Sequence, residues 1–285
     1  MNVILRRGTS DDARTCASIC HAAFATIADR HHFPPDFPSV EPAEQLMSML
    51  LSCDDIFSVV AESDGLVIGS NFLWETGPVA GVGPITIDPS AQDRSVGRRL
   101  MEEVLKRGRE RRFPGIRLVQ AGYHTRSLSL YVKLGFAVRE PLVTMQGSTI
   151  CDTVQGCAVR PASKEDLDAC NRLHFKVHGF EREWDLLNAI EQGTANLVER
   201  GGRVTGYSTS IGFFGQAVGE TNDDLKALIG AAPEFLGPGF LLPARNGELF
   251  GWCLHRGLRV IQPMTLMSLG LYNQPAGPFL PSILF

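Results

Sequence analysis

The stretch Gly83-Pro84-Ile85-Thr86-Ile87-Asp88-Pro89-Ser90-Ala91-Gln92-Asp93-Arg94-Ser95-Val96-Gly97-Arg98-Arg99-Leu100 decides the reading of this chain. Its first part, Gly83 to Asp88, is β-branched at Ile85, Thr86 and Ile87 and reads as a strand closed by Pro89. Its last part enters a helix over 96–112 that carries Val96, Leu100, Met101, Val104 and Leu105 on one face. Such a junction is a natural anion site. The first N–H groups of a helix have no intrahelical acceptor, point outward and carry the positive end of the helix dipole. A phosphate or diphosphate satisfies both. Ser95 and Gly97 are small enough to let a diphosphate approach the backbone, and Arg94, Arg98 and Arg99 bring charge that can pair with its oxygens.

Working outward, residues 2–6 read as a strand, 11–29 as a helix and 42–52 as a second helix after the Pro-rich loop 31–39. Strands near 57–62 and 66–75 flank Asp64-Gly65, a pair suited to a tight hairpin turn. Beyond the central helix come a strand at 116–120, a short helix at 125–134 and a closing strand at 136–145. Helices and strands interleave around one sheet that the hairpin makes partly antiparallel.

Three short passages recur in order farther along the chain. Arg6-Arg7-Gly8-Thr9-Ser10-Asp11-Asp12 matches Arg160-Pro161-Ala162-Ser163-Lys164-Glu165-Asp166, with Cys16 against Cys170. Thr9 and Ser163 are the natural helix caps, followed by acidic residues that the helix dipole favours. Ala61 to Gly69 matches Val198 to Gly206, each a strand, a turn (Asp64-Gly65, Gly201-Gly202) and a strand. Leu130 to Val138 matches Trp252 to Val260, each a helix stopped by a glycine and followed by a strand. One such match is what chance gives among common patterns; three in order favour an internal duplication, with a boundary inside 146–157. The expected domains are 1–150, which holds the Gln92–Gly97 junction, and 155–285, which lacks its counterpart.

Composition narrows the function. The 285 residues are 44% hydrophobic and 20% charged, as in a globular protein, and the net charge of −4 disfavours nucleic acid as a partner. No stretch reads as a membrane span, and the apolar run at Val3-Ile4-Leu5 is too short for a signal-peptide core. The seven cysteines are odd in number and scattered, which suits free thiols in a reducing cytoplasm. The adjacent His31 and His32 lack further ligands, so no metal is expected.

The first half resembles the GNAT superfamily of acyl-CoA-dependent N-acetyltransferases. That family's loop reads Arg or Gln, two residues, Gly, one residue, then Gly or Ala; here it is Gln92-Asp93-Arg94-Ser95-Val96-Gly97, with Ser95 in place of the first glycine. If the loop needs a positive φ at that point, Ser95 carries strain on the order of 1–2 kcal/mol. The distal element Ser127-Leu128-Ser129-Leu130-Tyr131-Val132-Lys133-Leu134-Gly135-Phe136 resembles the family's helix ending in Tyr, three residues and Gly-Phe, and His124 stands where an Asn is common. The second half is similar to a degenerate member: Asn246 is kept, Cys253 replaces the Tyr, and no pyrophosphate loop lies between Ser210 and Asn246. The whole resembles tandem GNAT proteins with one working cofactor site.

The resemblance implies an α/β (α+β) fold of two GNAT-like domains, each a mixed, mostly antiparallel sheet flanked by helices. It implies transfer of acetyl from acetyl-CoA to an amine of a small molecule or peptide by direct attack. The cofactor would be held by Ile85, Thr86, Ile87, Gln92, Asp93, Arg94, Ser95, Val96, Gly97, Arg98 and Ser127, with Tyr131 protonating the departing thiolate. A phenol of pKa about 10 suits that task, although Tyr131 can also be read as a core aromatic. Many relatives place a Glu base on the strand where Pro84 stands, leaving Glu75, Asp88, His124 or a relayed water. Phe33, Phe37 and Trp74 read equally as acceptor pocket or core. No nucleic acid or membrane partner is implied, and a homodimer is compatible. The other reading is a non-catalytic acyl-CoA sensor or scaffold.

Overall fold

A computed structural model describes residues 3–92 and 94–284. Its contacts divide the chain into two compact units: Met1–Leu118 with His124–Ala137, and Val119–Tyr123 with Val138–Phe285.

The first unit runs β1 (Val3–Arg7), α1 (Ala13–Arg30), α2 (Val40–Ser52), β2 (Ile56–Ser63), β3 (Leu66–Trp74), β4 (Ala80–Val82), β5 (Thr86–Ile87), α3 (Val96–Glu110), the start of β6 (Gly115–Ala121) and α4 (Thr125–Lys133). The sheet order is β1-β2-β3-β4-β6, with β5 joined to β3. β1, β2 and β3 are antiparallel, and the β2–β3 turn sets Asp64 at φ 52° and Gly65 at φ 77°, the pair of positive angles a two-residue hairpin needs.

Alternation along β3 assigns a helix to each face of this sheet. Asn71 points toward α3, where its amide donates to the Leu100 carbonyl at 3.4 Å, and a Cβ on Gly69 would lie 3.3 Å from Leu100. Ser70 points the other way, toward Cys16 of α1. The apolar stripe of α3 is buried as expected, with Val96, Leu100, Met101, Val104 and Leu105 all at 3% exposure or less. Each such side chain contributes about 1.5–3 kcal/mol on burial. On the other face Cys16, Ala17, Cys20, Met47 and Leu50 are fully buried, and burial pushes the Cys16 thiol up to about 11.

The second unit continues with β7 (Ala137–Gln146), β8 (Ala158–Pro161), α5 (Leu167–His178), α6 (Glu183–Glu191), β9 (Asn196–Arg200), β10 (Arg203–Ser208), β11 (Ala217–Gly219), α7 (Asn222–Ala231), β12 (Phe240–Pro243), α8 (Gly247–His255), β13 (Arg259–Gly270) and β14 (Phe279–Leu280). One sheet has the order β14-β11-β10-β9-β8; in the other, the end of β6 lies beside β13, followed by β7 and β12.

The paired sequence passages have matching local structures. Thr9 and Asp12 form a reciprocal capping box, as do Ser163 and Asp166. Arg6 grips Asp12 with both terminal nitrogens at 2.8 Å and reaches Glu62 through Nε at 2.9 Å. Arg160 does the same to Asp166, at 2.8 and 2.7 Å, and to Glu199 at 3.0 Å. Both hairpin turns use two consecutive left-handed residues, and Gly135 and Gly257 both end their helices at positive φ, 96° and 86°.

Candidate active site

The site begins where the central strand breaks. β4 pairs antiparallel with β3 (Leu73↔Val82, Trp74↔Gly81) and parallel with β6 (Ala80↔Ile116, Gly81↔Arg117). The expected strand over Gly83–Asp88 is therefore corrected: β4 ends at Val82, before that span, and only Thr86–Ile87 within it is strand. Gly83 turns the chain at φ 134°, Pro84 has no N–H to give a ladder, and the Trp74 indole takes the Gly83 carbonyl at 2.8 Å. Among the described residues β5 then pairs with β3 alone, through Ser70↔Thr86 and Gly69↔Ile87. The Asp88 N–H donates to the Ile68 carbonyl at 2.9 Å, so alternation turns the backbone groups of Ile87 away from β3. Ile85 stands two residues earlier on the same strand path. The result is a short open strand edge, the template on which an amide-bearing chain can add as an extra strand.

The loop after β5 is tightened by Asp88, whose Oδ1 accepts from the Ser90 N–H at 2.8 Å and its hydroxyl at 2.6 Å. Gln92 is half-buried, and its Oε1 accepts from Arg126 at 3.5 Å. Asp93, one of the expected cofactor residues, lies outside the described residues. Ser95 sits in the left-handed region, φ 62° and ψ 11°, as the N-cap of α3, and its side chain makes no cap bond. The Arg99 N–H is bonded to the Ser95 carbonyl at 3.1 Å, so the N–H groups of Val96, Gly97 and Arg98 precede the first intrahelical bond.

Gly97 holds this helix end close to β5: a Cβ there would meet Ile87 Cδ1 at 3.1 Å. Arg94 is exposed, Arg98 makes only a 3.6 Å contact to Glu102, and Arg99 is turned to the Val3 carbonyl at 2.8 Å. Of the three arginines expected beside the loop, Arg99 is thus turned away to β1, while Arg94 precedes the helix and Arg98 lies in its first turn, and Arg126 reaches Gln92 of the loop from α4.

Tyr131 lies on α4 and is 5% exposed, with its ring 6.2 Å from that of Phe136. Burial pushes the phenol up to about 12, and a hydrogen bond from Ser127 works against that rise. The Ser127 hydroxyl also meets His124 Nδ1 at 2.9 Å. Burial, followed by Arg126, His31 and Arg30, lowers His124 to about 4, so its ring is neutral at physiological pH. His124, Ser127 and Tyr131 form one stripe along α4 at i, i+3 and i+7.

The other candidates are differently employed. Glu75 is gripped by Arg107 at 2.6 and 2.9 Å and approached by Arg111 at 3.3 Å, which also accounts for the basic end of α3. Asp88 is spent on the Ser90 turn. Trp74 is 3% exposed and belongs to the core, while Phe37 packs on Phe24 at 5.9 Å. Among the described residues, no three His, Cys, Asp or Glu side chains gather as a metal set.

The second unit offers an internal comparison. There β11 pairs with β10 (Gly206↔Gly219) and leads within two residues into α7. The N-terminus of α7 is closed by the chain itself. Asp224 is fully buried and accepts from the Thr221 N–H at 2.9 Å, the Thr221 hydroxyl at 3.1 Å and the Thr205 hydroxyl at 2.7 Å, with Arg200 at 3.1 Å. Cys253, at the position matched to Tyr131, is fully buried with its thiol pushed up to about 12. Asn246 caps α8 by accepting from the Leu249 N–H at 3.3 Å. The Asp224 plug escaped the sequence reading although its signal, Thr221 three residues before Asp224 at a helix start, is a capping box. Arg126 left no such signal, because its place is set by α4.

Residues 26–136 match the Acetyltransferase (GNAT) family. The matched stretch contains the whole β5–α3 junction and α4. No curated relative matches. Among solved structures, a candidate acetyltransferase from Pyrococcus horikoshii is similar at 17% identity over 97% of this chain and 94% of its own, with a TM-score of 0.74. A GCN5-related N-acetyltransferase from Sphaerobacter thermophilus is similar at 15% identity over 95% of this chain and 96% of its own, with a TM-score of 0.62. These likenesses show that the fold is shared along nearly the full length. Among the described residues no helix is long and apolar enough to cross a membrane.

Proposed function

We propose that the protein is an acyl-CoA-dependent N-acyltransferase that moves acetyl from acetyl-CoA to an amine of a small molecule or peptide. The observation that carries this reading is the α3 N-terminus: it has no side-chain cap, begins at a left-handed Ser95 and stands against the open edge of β5. Ile85 and Ile87 present backbone groups for the pantetheine arm, beside the buried Thr86. The N–H groups of Val96, Gly97 and Arg98 receive the diphosphate, with Gln92 and Ser95 shaping the loop and Arg94, Arg98 and Arg126 supplying charge. Asp93 and Ser127 complete the set drawn from the family pattern. A backbone N–H donating to the thioester oxygen is worth on the order of 3 kcal/mol as the carbonyl becomes an oxyanion. Tyr131 donates its proton to the thiolate as it leaves, a role that its burial favours by keeping the phenol protonated.

Glu75, paired with Arg107, and Asp88, engaged in the Ser90 turn, are given no part as the base in this reading. The amine then enters uncharged and passes its proton to solvent after attack. The second unit is read as a copy that has replaced the diphosphate with the Asp224 carboxylate, so the chain holds one cofactor site. A thermal-shift titration with acetyl-CoA, followed by a thiol-release screen of amines, tests the proposal. Stabilisation by acetyl-CoA is expected in wild type and in Tyr131→Phe alike, with thiol release that Tyr131→Phe abolishes. No stabilisation at millimolar acetyl-CoA would overturn the reading. Binding without release from any amine would favour the sensor alternative.

A further inference from the structure

Two registers meet along β3. At one end Leu73 faces Val82 and Trp74 faces Gly81; at the other Ser70 faces Thr86 and Gly69 faces Ile87. From Leu73 to Ser70 the strand advances three residues, while the facing chain advances four, from Val82 to Thr86. One extra residue is therefore held within residues 83–85, which makes a β-bulge. Bulges bend a strand and re-aim the groups beyond them. The direction of the β5 edge is set here.

A side chain fastens the bulge. The Gly83 N–H still donates to the Phe72 carbonyl at 3.0 Å, as a ladder residue does. The Gly83 carbonyl instead accepts from the Trp74 indole N–H at 2.8 Å. Trp74 is three residues from Asn71 on β3, so its side chain stands on the face away from α3. A carbonyl reached by a side chain standing off the sheet has turned out of the plane of the ladder. The bond therefore fixes how far the Gly83 peptide is rotated, and Trp74 is 3% exposed, so water has little access to replace the indole. Gly83 permits the rotation at φ 134°, an angle side chains avoid, and a Cβ there would meet no atom within 4 Å. Glycine is thus required by the turn and not by crowding.

We propose that Trp74 is a positioning residue for acyl transfer: its indole N–H holds the bulge so that the β5 edge aims a backbone N–H at the thioester oxygen. This inference rests on the acyltransferase reading of the site. Trp74 acts through Gly83 and is given no contact with substrate or cofactor. Hydrogen bonds weaken steeply as they bend, so a small rotation of the edge lowers the rate of transfer. The diphosphate is received separately, at the N-terminus of α3, and its grip does not pass through the indole. Loss of the Trp74 bond should therefore split the kinetics, lowering turnover while cofactor binding persists.

Wild type is compared with a protein carrying benzothienylalanine at position 74, which keeps the ring shape and puts sulfur in place of the N–H. Trp74→Phe, Gly83→Ala and their double variant are added, all assayed for thiol release and CoA binding below their melting temperatures. The sulfur isostere is expected to lower kcat by about 10–100-fold, with the acetyl-CoA KM and the CoA Kd within about twofold. Trp74→Phe and Gly83→Ala should show the same split, and the double variant should fall little further, because both release one turn. A tryptophan that only filled the core would leave kcat of the folded isostere unchanged. An unchanged kcat there, or losses that multiply in the double variant, overturns the inference. If wild type releases no thiol with any amine, the acyltransferase reading fails, and hydrogen exchange judges the fastening by itself. Amides of residues 85–87 should then exchange faster in the isostere than in wild type, with residues 59–61 unchanged; equal exchange at 85–87 overturns it.

Discussion

Ser95→Gly offers a quantitative test of the loop. Ser95 is held at φ 62° and ψ 11°, where a side chain costs on the order of 1–2 kcal/mol and glycine costs nothing. No cap bond is lost, because the Ser95 side chain makes none. Glycine loosens the unfolded chain, which offsets about 0.4–1 kcal/mol of the gain. The net stabilisation is about 0.5–1 kcal/mol, and for a chain of this size that raises Tm by roughly 1–4 °C. Ser95→Val, β-branched in a region such residues avoid, should lose a further 1–2 kcal/mol or so. If the diphosphate is received by this same turn, as proposed, Ser95→Gly should bind CoA as tightly as wild type or up to about fivefold more tightly, since 1 kcal/mol is roughly a factor of five. Differential scanning calorimetry and calorimetric titration of CoA read both quantities. A Ser95→Gly protein that melts lower and binds more weakly, or a Ser95→Val protein indistinguishable from wild type, would refute the left-handed turn and the strain argument with it.

Other expectations follow from the same geometry. Gly97→Val drives a branched side chain against Ile87, 3.1 Å from where its Cβ would stand, and should weaken CoA by more than about tenfold in titration while Tm falls by only a few degrees. Asp224→Ala removes a fully buried carboxylate and strands Thr205 and Arg200; unfolding measurements should show a loss of about 3 kcal/mol, with CoA binding in the first unit retained. His124 is lowered to about 4 in the folded protein from the ordinary histidine value of 6.5, so the unfolded state binds the extra proton between those values. Its contribution is complete above about 6.5 and is lost as pH falls toward about 4, and His124→Asn should flatten the Tm profile between pH 6.5 and 5, before carboxylates titrate. Equal slopes in both proteins over that window would contradict the buried, neutral imidazole.

The elements of the first unit were legible because their signals are local. The α3 stripe, the Asp64-Gly65 turn and the Gly135 helix stop are each set by a few adjacent residues, and each lies where its pattern places it. What escaped is set by distant groups. The break at Gly83–Ile85 depends on Pro84 meeting a ladder and on Trp74 claiming the Gly83 carbonyl, so a β-branched run looked continuous. Glu75 read as a spare base because nothing in the sequence announces its two grips by Arg107, 32 positions away. The His124–Ser127–Tyr131 stripe has helical spacing, yet its significance depends on burial that spacing alone does not give. The Arg6–Asp12–Glu62 and Arg160–Asp166–Glu199 clusters show the opposite case, where two passages alike in sequence carry the same local ion-pair geometry.

The claim most open to direct attack is that one chain holds one CoA, at the β5–α3 junction and nowhere else. Hydrogen exchange with and without CoA measures this across the molecule. Protection is expected at residues 85–98 and across α4, with none over 217–225, where Asp224 already occupies the helix end. Protection confined to the second unit, or appearing equally at both helix ends, would contradict the account.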